Sequence, residues 1–342
     1  MNNPIQTNQK ISSMDTSQMK AVVCTKYGGP EVLQVQEVAK PIPKENEVLV
    51  RIHASTVTAA DTFMREGTPY VGRLMLGLLK PKNPVTGTGF SGVVEAVGTA
   101  VTTFKPGDKV FGESIFGYGT NAEYSCVSEE GVIARLPENV SFEETASICD
   151  GPMTSLNLMR NLANIQAGQE VMIIGASGAL GTAAVQLAKH FGARVTGVCS
   201  GANAALVKSL GADEVIDYRK EDFRENGKSY DIIYDTVGKS SFPKAKRSLK
   251  KEGIYLSPVL GLPLLWHLLW TSLFGSKKVK FGATGMKPVP ELRVLLQELR
   301  EMLAAGKLKT VIDRRYKMSE IAEAHRYVDT GHKKGNLVLG FE

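Results

Sequence analysis

VMIIGASGALGTAAVQLAKHFGA, residues 171–193, is the stretch that decides the fold. It begins with four apolar residues, Val171 to Ile174, as expected of a strand buried on both faces of a sheet. A glycine-spaced turn follows, and apolar residues then recur at helical spacing until Gly192. The stretch therefore predicts a strand, a tight turn and an amphipathic helix, the opening unit of a doubly wound parallel sheet.

The rest of the chain shows two different patterns. From Gln169 onward, strands at ARVTGV, EVID, YDIIYDTVG, GIYLS and VKFGA alternate with helical stretches, which is typical of a parallel sheet. Between Lys20 and Val140, short strands such as VLVRIHASTV are separated by Gly/Pro turns, which indicates an irregular β-rich domain. We expect a disordered tail over 1–19, the β-rich domain over 20–145, the doubly wound domain over 146–303 and a return to the first domain over 304–342.

The composition is that of an ordinary globular protein. Hydrophobic residues make up 43% of the 342 positions, and a net charge of +6 is spread along the chain. Charge that is spread along the chain indicates a role in solubility and does not indicate a nucleic-acid-binding surface. The basic stretch KAKRSLKK is interpreted as the solvated face of a helix. The four cysteines are scattered without metal-type spacing. We expect a cytoplasmic protein with no nucleic-acid partner and no disulfide.

The turn at 175–181 has the glycine spacing of a phosphate-binding loop. The pyrophosphate of a dinucleotide needs backbone amides at a helix N-terminus with no side chains in the way. Gly178 and Gly181 occupy two of the required positions, whereas Ala176 stands where the first glycine of the usual G-x-G-x-x-G would be. The candidate cofactor contacts of the turn are Gly175, Ala176, Ser177, Gly178, Ala179, Leu180 and Gly181.

The tip of the second strand, at GVCSGANA, indicates which dinucleotide is bound. NAD-binding proteins carry an acid there that accepts the ribose hydroxyls, but Cys199 occupies that position. The carboxylate that would repel a 2′-phosphate is therefore missing, and we predict NADPH as the cofactor. Ser200, Asn203 and Tyr218 are candidate phosphate contacts, and Cys199 lies beside them.

Further motifs extend this pattern: ASTVTAADTFMREG, GTGFSGVVEAVG, LGADEVIDY and the ending IAEAHRYVDTGHKKGNLVL. With them the chain resembles the medium-chain dehydrogenase/reductase superfamily, and more narrowly its zinc-independent quinone oxidoreductases, from Lys20 to Leu339. The resemblance implies an α/β fold in which a Rossmann-type doubly wound sheet is inserted into a GroES-like β-rich catalytic domain. It also implies a homodimer.

In alcohol dehydrogenases of this superfamily, a Cys, a His-Glu pair and a later Cys or His hold a catalytic zinc. The matching positions here are Thr58, Thr88 with Gly89, and Asp150, and the four-cysteine structural zinc loop is also missing. Tetrahedral zinc needs thiolate or imidazole donors, so we predict no metal. Without a Lewis acid, the easier reaction is hydride transfer from NADPH to a small lipophilic electrophile, a quinone or an α,β-unsaturated carbonyl.

The resemblance assigns Thr154 to the nicotinamide side of the cofactor and Gly238 to a backbone contact with the cofactor at a strand end. Val237, Ser257 and Asn336 are further candidate cofactor contacts.

Three residues are catalytic candidates: Thr58, Tyr70 and Asp150. Thr58 either hydrogen-bonds the substrate carbonyl or is a packed strand-end threonine, and Asp61 and Arg65 are expected to brace its loop. Asp150 is either a proton relay with a raised pKa or the cap of the next helix.

Tyr70, like Tyr118, lines the pocket, donates a proton, or is simply a buried aromatic at the domain cleft. The five histidines have no partners at useful spacing.

The segment GIYLSPVLGLPLLWHLLWTSLFGS, residues 253–276, has no charged residue and is long enough to cross a bilayer. Proline and glycine interrupt its first half, and lysines flank both ends, so no orientation is favoured. We therefore predict no transmembrane span, but a buried strand and an apolar helical lid over 260–274. The lid either borders the substrate or forms a dimer contact.

These patterns favour an NADPH-dependent reductase of quinones or enones that works without metal. A non-catalytic NADPH-binding protein, as with the lens crystallins of this family, stays open because Thr58 replaces a commoner Asn. A zinc-type alcohol dehydrogenase also stays open if its ligands are residues other than those named above.

Overall fold

A computed structural model describes residues 17–114 and 119–341. The strands are Gln18–Cys24 (β1), Leu33–Ala39 (β2), Glu47–Val57 (β3), Gly89–Val97 (β4), Lys109–Glu113 (β5), Tyr124–Ser128 (β6), Val132–Arg135 (β7), Glu170–Ile174 (β8), Arg194–Cys199 (β9), Glu214–Asp217 (β10), Tyr230–Asp235 (β11), Leu249–Ser257 (β12), Lys278–Phe281 (β13), Ile312–Lys317 (β14) and Asn336–Gly340 (β15). The α-helices are Ala59–Glu66 (α1), Arg73–Leu76 (α2), Phe142–Ala146 (α3), Gly151–Leu156 (α4), Ala179–His190 (α5), Ala204–Ser209 (α6), Phe242–Ala245 (α7), Leu262–Leu273 (α8), Val289–Ala304 (α9) and Ile321–Asp329 (α10).

One sheet is parallel throughout, with the strand order β10-β9-β8-β11-β12-β13. Its central strand β8 is fully buried because Val171, Met172 and Ile173 pack against helices on both faces. The strand order reverses between β8 and β11, and in such sheets the crevice at the carboxyl ends of those strands binds the ligand. The predicted doubly wound sheet is confirmed.

The second sheet has the order β14-β15-β3-β4-β5-β7, with β6 paired to β3 and a separate hairpin formed by β1 and β2. The C-terminal strands β14 and β15 thus extend a sheet built by the N-terminal part of the chain. In β3, Val48, Val50 and Ile52 are buried on one face, as the alternating pattern predicts.

The first strand starts before the expected end of the tail at residue 19. Gln18 and Met19 already belong to β1, and the Met19 side chain packs against Ala21 and Ala122. An apolar contact of this kind makes the strand part of the fold rather than of a tail. The rest of the predicted tail, 1–16, lies outside the described residues.

The two sheets are joined at the glycine turn that follows β8. The N–H of Gly335 donates to the carbonyl of Ser177 at 2.8 Å, just before β15 begins. On the other side of α5, the Gln186 side-chain amide donates to the carbonyl of Lys309 at 2.9 Å. The crevice of the parallel sheet is therefore fixed against the C-terminal segment of the β-rich domain by one backbone and one side-chain hydrogen bond.

The apolar segment near the end of the parallel sheet contributes β12 and the helix α8, which confirms the strand and helix predicted there. Within 17–114 and 119–341, none of the helices combines the length and the apolar character needed to cross a membrane. The basic stretch KAKRSLKK is not one helical face, because α7 ends at Ala245, a 3₁₀ turn covers Lys246–Ser248, and β12 starts at Leu249.

Candidate active site

The turn between β8 and α5 is shaped by close backbone approach. Gly175 has φ = +79°, a conformation that L side chains rarely adopt, and a Cβ there would lie 2.7 Å from Oγ1 of Thr236. A Cβ on Gly181 would lie 2.1 Å from the carbonyl oxygen of Gly175. Both glycines are therefore required by the turn itself, because any side chain would collide with protein atoms.

Ala176 departs from the usual glycine pattern, and the neighbouring strand accommodates it. Its methyl group is fully buried, and a Cβ added to Gly197 in β9 would lie 3.1 Å from it. Because Gly197 has no side chain, the Ala176 methyl group has room on the β9 side of the turn. The turn can hold its phosphate-binding shape despite the substitution.

The first turn of α5 presents free backbone amides. Gly178 is the N-cap residue, has an extended backbone and brings no side chain over the helix end. Helix geometry leaves the N–H groups of Ala179, Leu180 and Gly181 without intrahelical acceptors. Together with the helix dipole, these N–H groups make the helix end a site for an anion such as a pyrophosphate.

The tip of β9, where the adenosine end of the cofactor is predicted to bind, carries no charged side chain. Cys199 is 2% exposed, and burial, helped by the charge of Asp217, raises the pKa of its thiol to about 11. The Asn203 amide donates to the Ser177 hydroxyl at 3.0 Å, and its buried Oδ1 has no partner among the residues described. Ser200 is half-buried at the start of the same loop. Cys199, Ser200 and Asn203 thus lie together beside the glycine turn.

Sequence reasoning missed an acid on the next strand. Asp217 ends β10 directly opposite Cys199, and its Oδ2 lies 2.5 Å from where a Cβ of Gly201 would be. The exposed Arg219 and Lys220 follow it, and the Arg219 guanidinium lies 5.9 Å from the centre of the Tyr218 ring. The sequence EVID shows an acid at the end of a strand, but it does not show that this strand lies next to β9.

The turn after β11, which carries the predicted cofactor residues Val237 and Gly238, is organised by Asp235, a residue that the sequence pattern did not single out. This fully buried carboxylate ends β11 and accepts hydrogen bonds from the N–H groups of Val237, Gly238 and Ser240 at 2.8–3.2 Å. The Tyr255 hydroxyl donates to it as well, at 2.9 Å. Asp235 therefore fixes the turn in which Val237 is exposed to the crevice edge and Gly238 has φ = +66°.

Two of the three other predicted cofactor residues, Ser257 and Asn336, already use part of their hydrogen-bonding capacity within the protein. Ser257 ends β12, and its hydroxyl accepts from the N–H of Val259 at 3.2 Å. The Asn336 amide donates to the carbonyl of Val311 at 3.1 Å. Thr154 is half-buried in α4, the helix that packs against α5 through the hydrogen bond from Ser155 to the Leu180 carbonyl.

Thr58 is the N-cap of α1 and forms a capping box with Asp61. Its hydroxyl donates to Asp61 Oδ2 at 2.7 Å, and its N–H donates to the same oxygen at 2.8 Å. Arg65, one turn further, donates to Asp329 and to Nδ1 of His325. The structure confirms the expected bracing role of Asp61 and Arg65, and it places the Thr58 hydroxyl in the cap.

No partner of His325 was found at useful spacing in the sequence, but the fold brings Arg65 within 3.2 Å of its Nδ1. His325 comes from α10, 260 positions away from Arg65 in the sequence, and is 1% exposed. Burial, with the nearby Arg65 charge, lowers the pKa of His325 to about 3, so the ring is neutral.

The prediction of a buried aromatic at position 70 is wrong. Tyr70 lies in a short 3₁₀ turn with 74% of its surface exposed, and the guanidinium of Arg73 covers its ring at 4.8 Å. The turn is too short to carry an inward face, so its side chains project outward. Tyr118, named with it, lies outside the described residues.

Asp150 occupies the N-cap position of α4, but its side chain makes no capping hydrogen bond, so that alternative is wrong. Its backbone angle ψ of −76° is far from the extended value that a capping side chain needs. The next residue, Gly151, lies against the start of α5, since a Cβ there would be 3.0 Å from the carbonyl of Ala179. Asp150 is thus held beside the cofactor turn.

Asp150 belongs to a group of acids that we call the carboxyl cluster: Asp61, Glu113 and Asp150. Burial raises the pKa of Glu113 to about 8, and the charges of the other two acids add to this effect. Burial likewise raises the pKa of Asp61 to about 6 and also raises the pKa of Asp150. Lys333, whose own pKa is lowered by burial, provides the opposing positive charge. Glu113, which is half-buried at the end of β5, was missed because nothing in FGES relates it to Asp61 or Asp150.

The residues at the zinc positions of the alcohol dehydrogenases do not make a zinc site. Thr58 donates its proton to Asp61, and Thr88 and Asp150 provide only oxygen donors. Within the described ranges, no three His, Cys, Asp or Glu side chains are placed to hold a metal ion. All four cysteines are free thiols, and none stands at a zinc-ligand position.

Comparison with known proteins identifies the family. Family models described as alcohol dehydrogenase GroES-like domain and zinc-binding dehydrogenase match residues 44–138 and 210–339. Human quinone oxidoreductase is 31% identical over 340 residues, which cover 94% of this chain and 97% of the human protein. The chain belongs to the quinone oxidoreductase-like branch of the medium-chain dehydrogenase/reductase superfamily. The GroES-like and Rossmann-type assignments are thereby confirmed.

Two other members of the family resemble this chain. The 2-methylene-furan-3-one reductase of Solanum lycopersicum is 32% identical over 335 residues, covering 94% of this chain and 79% of the tomato protein. The structure of Escherichia coli quinone oxidoreductase complexed with NADPH superposes with a TM-score of 0.79 at 26% identity, over 94% of this chain and all of the bacterial one. Other relatives are named mitochondrial or chloroplastic, so the cytoplasmic location stays a prediction.

Proposed function

We propose that this protein is an NADPH-dependent reductase that delivers hydride to a quinone or an α,β-unsaturated carbonyl without the help of a metal. The observation that supports it most directly is the crevice of the parallel sheet. Its glycine turn and the uncapped amides of α5 form an anion site, and the tip of β9 beside that site carries a neutral thiol and no carboxylate.

The choice of NADPH over NADH depends on the charges around the loop after β9. Asp217 disfavours a 2′-phosphate, whereas Arg219, Lys220 and the Asn203 amide group favour it. The exposed Glu221 follows these two cations and balances them, so the missing carboxylate at the tip of β9 is what favours NADPH, and we propose a preference that is modest rather than strict. The NADPH complex of the bacterial relative is consistent with this choice.

The bound cofactor would supply the hydride, and the protein supplies position and protons. The α5 amides hold the phosphates, and the turn fixed by Asp235 presents the backbone of Gly238 at the other end. Asp150 lies beside the start of α5, and its raised pKa lets it keep a proton closer to neutral pH than an ordinary aspartate. It is our candidate for protonating the product anion.

The substrate class follows from the chemistry that the site lacks. Nothing among the residues at the zinc positions can stabilise an alkoxide as a Lewis acid would, so an acceptor that delocalises the added charge is favoured. Quinones and enones do so as phenolates and enolates. The names of the human and tomato relatives are consistent with these two classes.

The direct test is NADPH oxidation by the purified protein with a panel of small quinones and enals, followed by absorbance. We expect turnover with some members of the panel, and Asp150→Asn should lower kcat about a hundredfold. The Glu45→Gln variant, which replaces an exposed carboxyl by an amide, serves as the control. NADPH binding with no turnover across the panel would instead favour a binding protein, a role that the commitment of Thr58 to its cap would explain.

Stoichiometric zinc by elemental analysis, with activity lost on chelation, would favour the alcohol dehydrogenase alternative. A homodimer is also part of the proposal, because β13 leaves one edge of the parallel sheet unpaired within the described chain. Sedimentation of the intact protein tests it.

A further inference from the structure

Helix α8 exposes a large apolar face. Its exposed apolar residues form two rows, and within each row successive residues are four positions apart. The rows are Leu262, Trp266 and Trp270, and Leu265, Leu269 and Leu273. Trp266 and Trp270 are stacked at 6.3 Å, and the Phe274 ring lies 5.0 Å from Trp270. Large side chains in adjacent rows form one continuous apolar stripe along the helix.

The opposite side of α8 fixes the helix to the sheet. Leu264 and Leu268 pack on the core beneath β12 and β13, and the ring of His267 lies 5.4 Å from that of Phe242 in α7. The Thr271 hydroxyl accepts a hydrogen bond from the N–H of Val279 at 3.0 Å. The helix is therefore not a loose segment that could turn its stripe inward, and the stripe faces outward in the folded protein.

Basic side chains lie beside this stripe, on α7, on the turn after α7 and just beyond the end of α8. The segment 236–290 contains ten lysines and arginines and a single acid, Glu252, so it carries a charge of +9 while the remaining residues together carry −3. Lys244, Lys246 and Arg247 are exposed on α7 and the turn after it, which lie beside α8. The ammonium group of Lys277, just beyond α8, donates to the carbonyl of Lys246 at 2.7 Å and ties the two regions together.

An exposed stripe of Leu and Trp bordered by lysines fits one partner better than others. A second copy of this chain would bring the same basic border against itself, and like charges facing each other oppose such a contact. A nucleic acid would use the lysines but leave the leucines in water. Trp and Leu that enter an acyl layer, with lysines at the level of anionic headgroups, satisfy both features.

We propose that α8, together with Lys244 of α7 and with Lys246 and Arg247 of the turn after it, forms a docking surface for an anionic lipid membrane. The helix, 12 residues and about 18 Å long, lies in the plane of the surface with its stripe among the acyl chains. The protein thereby binds to one leaflet without spanning the bilayer. This attachment does not depend on the reaction proposed above.

Intrinsic fluorescence tests the proposal directly, because Trp266 and Trp270 are the only tryptophans of the chain. Vesicles of phosphatidylglycerol mixed with phosphatidylcholine should shift the emission to shorter wavelength and protect both rings from acrylamide. Vesicles of phosphatidylcholine alone should give a much weaker shift, and added salt should weaken binding to the anionic vesicles.

Variants that keep both tryptophans separate the two contributions. Replacing Lys244, Lys246 and Arg247 by Gln should lower the partition coefficient about a hundredfold, or about fivefold per charge. Leu265→Ser with Leu269→Ser should lower it at least about tenfold. Both variants alter exposed positions only, so thermal unfolding should stay close to that of the parent protein. Val294→Ser, at an exposed position of α9, is the matched control and should bind like the parent.

Several results would overturn the proposal. An unchanged emission spectrum with anionic vesicles would do so, as would equal binding to anionic and neutral vesicles. An emission shift that depends on protein concentration without lipid would show that a second copy covers the stripe. A shift produced by oligonucleotides but not by vesicles would assign the basic border to nucleic acid.

Discussion

The cofactor turn at 175–181 and the carboxyl cluster of Asp61, Glu113 and Asp150 are built in opposite ways. In the turn, backbone atoms approach so closely that Gly175 and Gly181 leave no room for a Cβ. In the cluster, side chains from β5, α1 and the start of α4 are brought together by burial, and their charges affect each other.

The difference shows which kind of change each region tolerates. A turn fixed by backbone clearance fails when a single methyl group is added, whatever the pH, because the collision is with atoms that cannot move away. A cluster fixed by burial tolerates changes of shape but responds to charge, so its effects depend on pH. The following experiments probe this contrast, from the largest expected effect to the smallest.

Gly181→Val should be the most damaging substitution. Its Cβ would lie 2.1 Å from the Gly175 carbonyl oxygen, so the turn must open. We expect the free energy of unfolding to fall by about 3 kcal/mol and NADPH binding to be lost. Gly178→Ala is the control, since its Cβ would be at an ordinary 3.5 Å from the same oxygen. It should keep the melting temperature and weaken only cofactor binding. Equal stability of the two variants would show that backbone clearance does not govern the turn.

Thr58→Val removes the hydroxyl that caps α1 and should cost about 1–2 kcal/mol of stability, measured by denaturant unfolding. Thr58→Ser keeps the cap and should restore most of the loss. If the valine variant instead keeps its stability and only raises KM for the quinone, the hydroxyl serves the substrate rather than the helix.

Glu113→Gln should change how stability depends on pH. With a pKa raised to about 8, folded Glu113 keeps a proton that the unfolded chain has already released above its ordinary value of 4.5. The free energy of unfolding contributed by this group therefore falls as pH rises between these two values. The melting temperature of the variant relative to the parent should increase from acid to pH 8, whereas the exposed Glu138→Gln should show a flat difference. A flat difference for Glu113→Gln as well would mean that its carboxyl is not buried.

Asp217→Asn should have the smallest effect, a shift of about twofold in kcat/KM towards NADPH relative to NADH, because the charge removed lies near but not at the 2′-phosphate. Glu225→Gln, exposed and further along the chain, is the matched control. A shift towards NADH would mean that Asp217 does not face the ribose.

The parts of the site that depend on local sequence were predictable. The residues of the glycine turn, the neutral tip at Cys199 and the helix α5 follow from spacing within one stretch of chain, and the structure places them together. Asp217 and Asp235 were missed although both end strands, because their importance comes from the neighbouring strands β9 and β12. Tyr70 was misjudged because nothing in the sequence shows that its short turn lies on the surface.

The sequence by itself determined the alternation of strands and helices, the glycine turn and the absence of zinc donors at the matched positions. Each of these features depends only on the identity of residues that are close together in the sequence. Only the tertiary structure decided which acids keep their protons and which apolar helix face stays in water. Those properties depend on burial, and burial arises when segments distant in the sequence, such as β5 with α4 or α7 with α8, pack against each other.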